Sequence, residues 1–255
     1  MKASDNLLSQ VRPKTRGSIL WLTGWSMPDT VLDELRRWLP DFQHVSAAYS
    51  SAECPESMLL LTEKAARSVM DSEMRDGPML IAGWSLGGLL ALRLAAQGLA
   101  DGLVLFGATA RFTRSGEESN RGWADAYVRR MISGVTKDRQ TVETSFRKLV
   151  LTEDEWASGL GRRLPPAGGW SASALVAGLQ LLRTESVLPM LPAIDCPVLL
   201  VHGTEDRICP YGAALELMAA LPGAKLVSIS ACGHAPFLGK EIFIADELRR
   251  WWHDR

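Results

Sequence analysis

The stretch that decides the fold is MLIAGWSLGGLLALRLAAQG, residues 79–98. Residues 79–84 are apolar without alternation, which is typical of a strand buried on both faces of a parallel sheet. Residues 86–98 carry apolar side chains at three- and four-residue spacing, which predicts a helix. Where the two meet, G-W-S-L-G at 83–87 matches the pattern G-x-S-x-G on a strand-to-helix turn.

This turn gives Ser85 a possible chemical role. Glycines on both sides leave room for a tight elbow in which neighbouring Cβ atoms would clash. Such an elbow lifts the Ser85 hydroxyl above the sheet and places the Leu86 N–H at the positive end of the helix, where an oxyanion can be held. The motif alone is weak evidence, because it arises by chance in roughly one chain in ten of this length. A serine alcohol is also a poor nucleophile unless a base removes its proton.

A base and a carboxylate follow later in the chain. The segment HGTED, which ends at Asp206, follows an apolar strand, and ACGH, which ends at His234, follows the next. We therefore predict a triad in which His234 is general base and then general acid for Ser85, while Asp206 fixes the tautomer of the imidazole. Taken singly, His234 is consistent with a structural loop histidine and Asp206 with a turn or N-cap residue. Glu205 is the rival acid, ranked lower because the H-G-x-x-D spacing favours Asp206.

Alternation of strands and helices around this stretch favours an α/β fold with a mostly parallel, doubly wound sheet. Apolar runs predict strands at 18–23, 44–48, 79–84, 103–107, 198–203 and 225–230. Helical periodicity predicts helices at 30–39, 55–74, 86–98, 211–221 and 238–252.

The alternation breaks between Ala110 and Pro192, where no convincing strand is found. Helices are predicted there at 117–133, 136–151, 153–163 and 171–188. The domain organisation predicted is an α/β core, residues 1–110 and 192–255, with a helical lid, residues 111–191, inserted into it. Such a lid would cover the carboxyl edge of the sheet, where these folds bind ligands.

A second oxyanion donor would come from the loop after the first strand. That loop reads Thr23-Gly24-Trp25-Ser26-Met27, and the Trp25 N–H is the candidate, with its indole as a wall of the acyl pocket. The alternative is a partly buried loop tryptophan with no such role. His202 is expected to be a core histidine, and no role is assigned to His44 or His253.

Composition excludes several classes of protein. The 255 residues are 47% hydrophobic and 22% charged, with 28 basic and 29 acidic side chains and a net charge of −1. That balance gives no sign of nucleic-acid binding, and no apolar run approaches the roughly 20 residues that span a bilayer. The four cysteines and four histidines match no metal-binding or C-x-x-C spacing, so no metal is expected. The first residues lack the apolar core of a signal peptide, so a cytoplasmic protein without membrane contact is expected.

Charge is unevenly distributed between the predicted lid and core. Residues 111–190 hold 12 basic and 9 acidic side chains, a net of +3, and the remainder holds 16 and 20, a net of −4. The basic residues of the insert are an ordinary solvated helical face or a docking patch for an acidic partner.

Three motifs make the sequence resemble the α/β-hydrolase superfamily: G-W-S-L-G-G at 83–88, H-G-T-E-D at 202–206 and G-H-A-P-F at 233–237. More narrowly, it resembles the pimeloyl-[acyl-carrier protein] methyl ester esterases of biotin synthesis through G-W-S at 24–26, G-W-S-L-G-G at 83–88, G-L-Q-L-L-R-T at 178–184 and H-A-P-F at 234–237. The resemblance implies a serine carboxylesterase that removes the methyl ester from an acyl chain on acyl-carrier protein, without a cofactor.

The resemblance also implies roles for residues of the insert. The acidic carrier would dock on basic lid side chains, here Arg139, Arg147, Lys148, Arg162 and Arg163, and Phe146 would line the acyl channel. We expect a monomer.

The sequence departs from the superfamily pattern in two loops. Thr23 stands where His is usual, and residues 47–53 lack the usual Asp and glycines. Rival functions therefore stay open: a small-molecule esterase or lactonase, a C–C hydrolase or a lyase of menaquinone synthesis with the same triad, or a non-catalytic binding protein.

Overall fold

A computed structural model describes residues 16–73, 75 and 77–253 of the chain. Its centre is a sheet of six parallel strands in the order β2-β1-β3-β4-β5-β6. The strands are β1 (Ser18–Leu22), β2 (Gln43–Ser46), β3 (Met79–Trp84), β4 (Gly102–Phe106), β5 (Val198–Gly203) and β6 (Lys225–Ile229). All six lie within two residues of the predicted bounds, and the predicted α/β class is confirmed.

Burial follows position in the sheet. Every residue of the four inner strands β1, β3, β4 and β5 is buried, as their unbroken apolar runs predict. The edge strands β2 and β6 are only partly covered. Because all strands are parallel, their carboxyl ends meet at one edge, where the loops after β1, β3, β5 and β6 carry the candidate site residues.

Eight α-helices accompany the sheet in the described part of the chain. They are α1 (Asp33–Arg37), α2 (Pro55–Met70), α3 (Leu86–Ala95), α4 (Asp125–Lys148), α5 (Glu153–Ala157), α6 (Ala172–Thr184), α7 (Tyr211–Ala220) and α8 (Glu241–His253). The first part of the helix predicted at 30–39 is a 3-10 turn, Asp29–Leu32. The helix predicted at 55–74 ends at Met70, and Met74 lies outside the described residues. Among the described residues, no helix combines the length and the apolarity needed to cross a membrane.

The first half of the insert differs from the prediction. The absence of strands is wrong: Thr113–Arg114 and Trp123–Ala124 form a two-residue parallel pair. Gly122 permits this pairing, because a Cβ there would lie 2.1 Å from the carbonyl oxygen of Phe112. The helix predicted at 117–133 therefore begins only at Asp125.

Helix α4 consists of two helical segments that meet at a kink at Asp138 (φ −152°, ψ 82°), close to the break predicted between residues 133 and 136. The kink has a local cause. The Asp138 carboxylate accepts hydrogen bonds from the Thr141 backbone N–H at 3.1 Å and from its hydroxyl at 2.5 Å, so it caps a new helical start.

The second half of the insert is also more broken than predicted. Helix α5 stops before Gly159, whose φ of +83° leaves the helical region, and a 3-10 turn follows. Helix α6 ends at Thr184 because the chain then turns extended and Ser186 forms an antiparallel bridge with Arg111. This bridge brings the two ends of the insert side by side.

Candidate active site

Ser85 lies at the elbow between β3 and α3, in the left-handed region of backbone space (φ 58°, ψ −119°). The glycines beside it are required by space. A Cβ on Gly83 would lie 2.4 Å from the Gly87 carbonyl oxygen, and one on Gly87 would lie 2.1 Å from the Leu22 carbonyl oxygen. The Ser85 N–H donates to the Phe106 carbonyl oxygen at 3.0 Å, which fixes the elbow to β4. The residue is only 4% exposed.

Asp206 and His234 form a buried hydrogen-bonded pair. The Nδ1 atom of His234 lies 2.8 Å from Oδ2 of Asp206. The other carboxylate oxygen, Oδ1, accepts the backbone N–H groups of Ile208 and Cys209 at 2.8 and 2.9 Å. Burial alone would raise the pKa of Asp206, but the charge of His234 and hydrogen bonds from His202 and His234 lower that pKa to about 2. Asp206 is therefore a carboxylate at neutral pH.

The other ring nitrogen of His234 is left free. Nε2 is buried and has no hydrogen-bond partner among the described residues. The ring is held instead through its backbone: the His234 N–H donates to the Val150 carbonyl oxygen at 2.7 Å, and the His234 carbonyl accepts the Trp84 indole N–H at 2.7 Å. Gly107 directly follows Phe106, whose carbonyl oxygen accepts the Ser85 N–H. A Cβ on Gly107 would lie 3.0 Å from Nδ1 of His234. The structure thus brings the Ser85 elbow and the histidine ring to one end of β4.

The rival acid, Glu205, does not reach the histidine. It is exposed, and its backbone N–H donates to the Cys232 carbonyl oxygen at 3.0 Å. His202 is a core histidine, as expected, with Nε2 at 2.7 Å from the Cys209 carbonyl oxygen. The sequence reasoning missed that this same nitrogen lies 3.4 Å from Oδ2 of Asp206. The four-residue spacing from His202 to Asp206, from a strand into its following turn, was the available signal.

Trp25 lies against the serine elbow. A Cβ on the preceding Gly24 would lie 3.3 Å from Cβ of Ser85, so the two loops are in contact. The indole is buried, not partly exposed. It donates to the Leu175 carbonyl oxygen of α6 at 2.8 Å and packs edge-on to Phe146 of α4, with ring centroids 4.9 Å apart.

Phe146 separates Trp25 from an apolar cavity. It is 5% exposed and also faces Trp123, with ring centroids 6.4 Å apart. The cavity, of about 440 Å³, lies along the kinked helix α4 and is lined by Phe146 with Trp123, Tyr127, Met131 and Val142 among others.

The five basic residues predicted for docking fall into two groups. Arg139 pairs with Glu143 at 2.6 Å and Arg163 with Glu241 at 2.9 Å, so a carboxylate of the chain already neutralises each of them. The other three, Arg147, Lys148 and Arg162, have no carboxylate within ion-pair distance among the described residues.

Arg147 and Lys148 share a second cavity. It has about 730 Å³ and is lined also by Arg207 and Trp156. Burial lowers the pKa of Arg147, whose guanidinium contacts the Met27 sulfur at 3.2 Å. Arg207, next to Asp206, was missed by the sequence reasoning because it lies outside the insert.

The two loops that depart from the superfamily pattern bind each other. The Tyr49 hydroxyl donates to the Thr23 carbonyl oxygen at 2.6 Å, and burial raises the pKa of this hydroxyl. The Ser50 carbonyl oxygen accepts the Ser171 N–H at the start of α6. These hydrogen bonds thus connect the loop after β1, the loop after β2 and the insert.

Two carboxylates of the insert that the sequence reasoning missed also contact the site loops. Glu155 accepts the Gly233 N–H at 3.0 Å, next to His234. Glu143 accepts the Ser26 hydroxyl at 2.5 Å, next to Trp25. Neither contact has a local sequence signal, because the partners lie 78 and 117 residues apart.

The fold and this site define an α/β hydrolase. Residues 19–245 match the model of the alpha/beta hydrolase family, and the chain belongs to that family. The expected enzyme class, carboxylic ester hydrolase, is confirmed along with the expected fold.

The chain is also similar to named relatives. It is 30% identical to a pimeloyl-[acyl-carrier protein] methyl ester esterase of Nitrosomonas europaea, over 91% of this chain and 95% of the relative. It is 33% identical to one of Neisseria meningitidis serogroup A, over 89% of this chain and 73% of the relative. Among solved structures, an esterase of Exiguobacterium antarcticum superposes with a TM-score of 0.73 at 20% identity, covering 92% of each chain, which shows the fold alone.

Proposed function

We propose that the chain is a serine carboxylesterase that removes the methyl ester from pimeloyl-acyl-carrier protein in biotin synthesis. The observation that carries the chemistry is the buried His234 ring, bonded at Nδ1 to an ionised Asp206 and free at Nε2. A base in this state can take the proton of a serine hydroxyl, and its carboxylate stabilises the imidazolium that results.

In the proposed reaction Ser85 attacks the ester carbonyl as its proton passes to Nε2 of His234. The oxyanion is held by the N–H groups of Leu86 and Trp25, because the first opens helix α3 and the second lies in the loop packed on the elbow. The protonated His234 gives its proton to the leaving methoxide, so methanol departs and an acyl-enzyme remains. Water, activated by His234, then releases the free carboxylic acid and restores Ser85.

The cavity beside Phe146 is evidence for a substrate with an acyl chain. Its lining is mostly apolar, and Phe146 contacts the Trp25 indole next to the elbow. We propose that the acyl chain passes this ring. The relatives' names supply the carrier and the pimeloyl chain. The exposed Lys148 and Arg162 and the half-buried Arg147 have no carboxylate partner among the described residues, so their charges fit an acidic carrier.

The test is turnover of pimeloyl-acyl-carrier-protein methyl ester and of a short aryl ester by the wild type and by Ser85→Ala. We expect turnover that Ser85→Ala abolishes and that favours the carrier substrate by at least tenfold in kcat/KM. Ser85-dependent cleavage of the aryl ester alone would keep the hydrolase and remove the biotin-synthesis substrate. No turnover of either ester would overturn the hydrolytic mechanism.

A further inference from the structure

The turn that carries Trp25 is held in an unfavourable backbone conformation. The Met27 N–H donates to the Gly24 carbonyl oxygen at 3.2 Å, so residues 24–27 form a β-turn with Ser26 in its third position. Ser26 has φ +62°, a region that glycine occupies freely and that a residue with a Cβ avoids. Some other interaction must therefore keep this turn in place.

That interaction comes from the lid. The buried Ser26 hydroxyl donates to Oε1 of Glu143 on α4 at 2.5 Å, and Glu143 is itself only 4% exposed. The second oxygen of Glu143, Oε2, accepts Nε of Arg139 at 2.6 Å. The carboxylate is thus oriented from one side by Arg139 and binds the turn on the other.

We propose that Glu143 is a positioning residue for the oxyanion site, acting through Ser26 to hold the Trp25 N–H in place. The inference rests on the proposed function, because that function assigns the Trp25 N–H as an oxyanion donor. It gives Arg139 a role different from carrier docking: the guanidinium is the counter-ion that orients Glu143.

A positioning role differs from a merely structural one in what it predicts for kcat. If Glu143 only anchors the lid, its loss lowers thermal stability and leaves turnover of a small ester unchanged. If it holds the Trp25 N–H, its loss lowers kcat with little change in KM, because an oxyanion donor acts in the transition state and not on the bound ester. Loss of an entire oxyanion donor costs about 10²–10³ in kcat, so a displaced donor should cost roughly tenfold or more.

Substitutions at Ser26 separate the hydroxyl from the backbone strain. Ser26→Ala removes the hydroxyl and keeps the strain, whereas Ser26→Gly removes both, because glycine accepts positive φ. We expect Ser26→Ala and Glu143→Ala each to lower kcat on the aryl ester about tenfold, and Ser26→Gly and Glu143→Gln to stay within about threefold of wild type. The double variant Ser26→Ala, Glu143→Ala should be no worse than either single variant, since both remove one contact.

The matched control is Asp125→Ala, which removes a carboxylate and its ion pairs with Arg129 and Arg183 from the first turn of the same helix. It should change melting temperature but not kcat.

Affinity for an aryl boronic acid, whose adduct with Ser85 is tetrahedral, should fall in parallel with kcat in Ser26→Ala and Glu143→Ala.

The outcomes are distinguishable from failure of the proposed function. If wild type shows no Ser85-dependent turnover, the hydrolytic mechanism itself fails. If wild type is active and Glu143→Ala keeps its kcat and boronate affinity, or loses no more than Asp125→Ala, the positioning role is wrong. Equal losses in Ser26→Gly and Ser26→Ala would also overturn it.

Discussion

Gly107 offers a direct test of whether the Asp206–His234 pair must stay where the structure puts it. A Cβ at this position would lie 3.0 Å from Nδ1 of His234 and 3.1 Å from Oδ2 of Asp206, the two atoms that share the hydrogen bond. Ordinary van der Waals contact begins near 3.4 Å, so Gly107→Ala must push the pair aside by a few tenths of an ångström. The residue also has φ +47°, which alanine avoids.

The expected magnitudes follow from these two effects. A left-handed conformation costs a non-glycine residue about 1–2 kcal/mol, and overpacking in a filled site costs about 1–3 kcal/mol. Together they lower the free energy of unfolding by roughly 2–5 kcal/mol, which for a chain of this size lowers the melting temperature by roughly 5–15 °C. A misplacement of about 1 Å costs about a hundredfold in rate, so we expect kcat of Gly107→Ala to fall about tenfold or more.

The assay pairs thermal unfolding with aryl-ester kinetics, and Gly98→Ala is the control. Gly98 has φ +74°, but a Cβ there meets no atom within 4 Å, so alanine at this position carries the strain without the clash. We expect Gly98→Ala to lose about 1–2 kcal/mol and keep its kcat. If Gly107→Ala keeps kcat at a temperature where it is folded, or if both variants lose kcat equally, the reasoning about the pair is refuted.

Three further predictions concern other parts of the site. The pKa of Asp206 is lowered to about 2, so its contribution to the free energy of unfolding is complete above about pH 4 and is lost as pH falls toward 2. Between these two pH values, urea unfolding should show the wild type losing about 2 kcal/mol more stability than Asp206→Asn. Parallel stability curves for the two proteins would contradict this. The double variant Lys148→Glu, Arg162→Glu should raise KM for the carrier-linked ester at least fivefold and leave aryl-ester kinetics unchanged. The control Lys64→Glu, which reverses an exposed charge on α2, should change the kinetics of neither ester. Equal losses on both esters in the double variant would refute carrier docking at Lys148 and Arg162. Glu155→Ala leaves the Gly233 N–H without its acceptor and should lower kcat and melting temperature together, while an unchanged kcat would show that the histidine loop holds itself.

The sequence was sufficient to predict the sheet and the placement of Ser85, Asp206 and His234, for a physical reason. Unbroken apolar runs identify the buried parallel strands β3 and β5, and Ser85 and Asp206 each follow such a run within a few positions. His234 follows β6 by five positions, although that edge strand is only partly covered. Once the strands are parallel, their ends meet at one edge whatever the rest of the chain does. Placing these residues at one edge of the sheet therefore needed no knowledge of the insert, although the insert also holds the His234 N–H through the Val150 carbonyl oxygen.

The insert resisted prediction because its structure depends on single side-chain contacts. Periodicity predicts a break after residue 133, but the second segment of α4 starts at the Asp138 cap, a position that apolar periodicity does not locate. The Thr152–Glu155 capping box is a readable local signal for the start of α5, but the same Glu155 oxygen also accepts the distant Gly233 N–H. Contacts of that second kind join the insert to the core. The ion pair of Arg163 with Glu241 is one of them, whereas Arg139 pairs with Glu143 four residues along the same helix.

These contacts also bear on how a substrate reaches Ser85 in the proposed mechanism. Raising the whole lid would break the hydrogen bonds that Glu143, Val150, Glu155 and Leu175 accept from the two site loops. Each bond is worth about 1 kcal/mol, and more where a buried group is left unpaired. Rotating the Phe146 ring loses edge-on aromatic contacts worth about 0.5–1.5 kcal/mol each, and leaves those hydrogen bonds in place. The energetic comparison favours entry past Phe146 with the lid closed. Since the same bonds hold the histidine and oxyanion loops, this path keeps the reacting groups in position while the acyl chain enters.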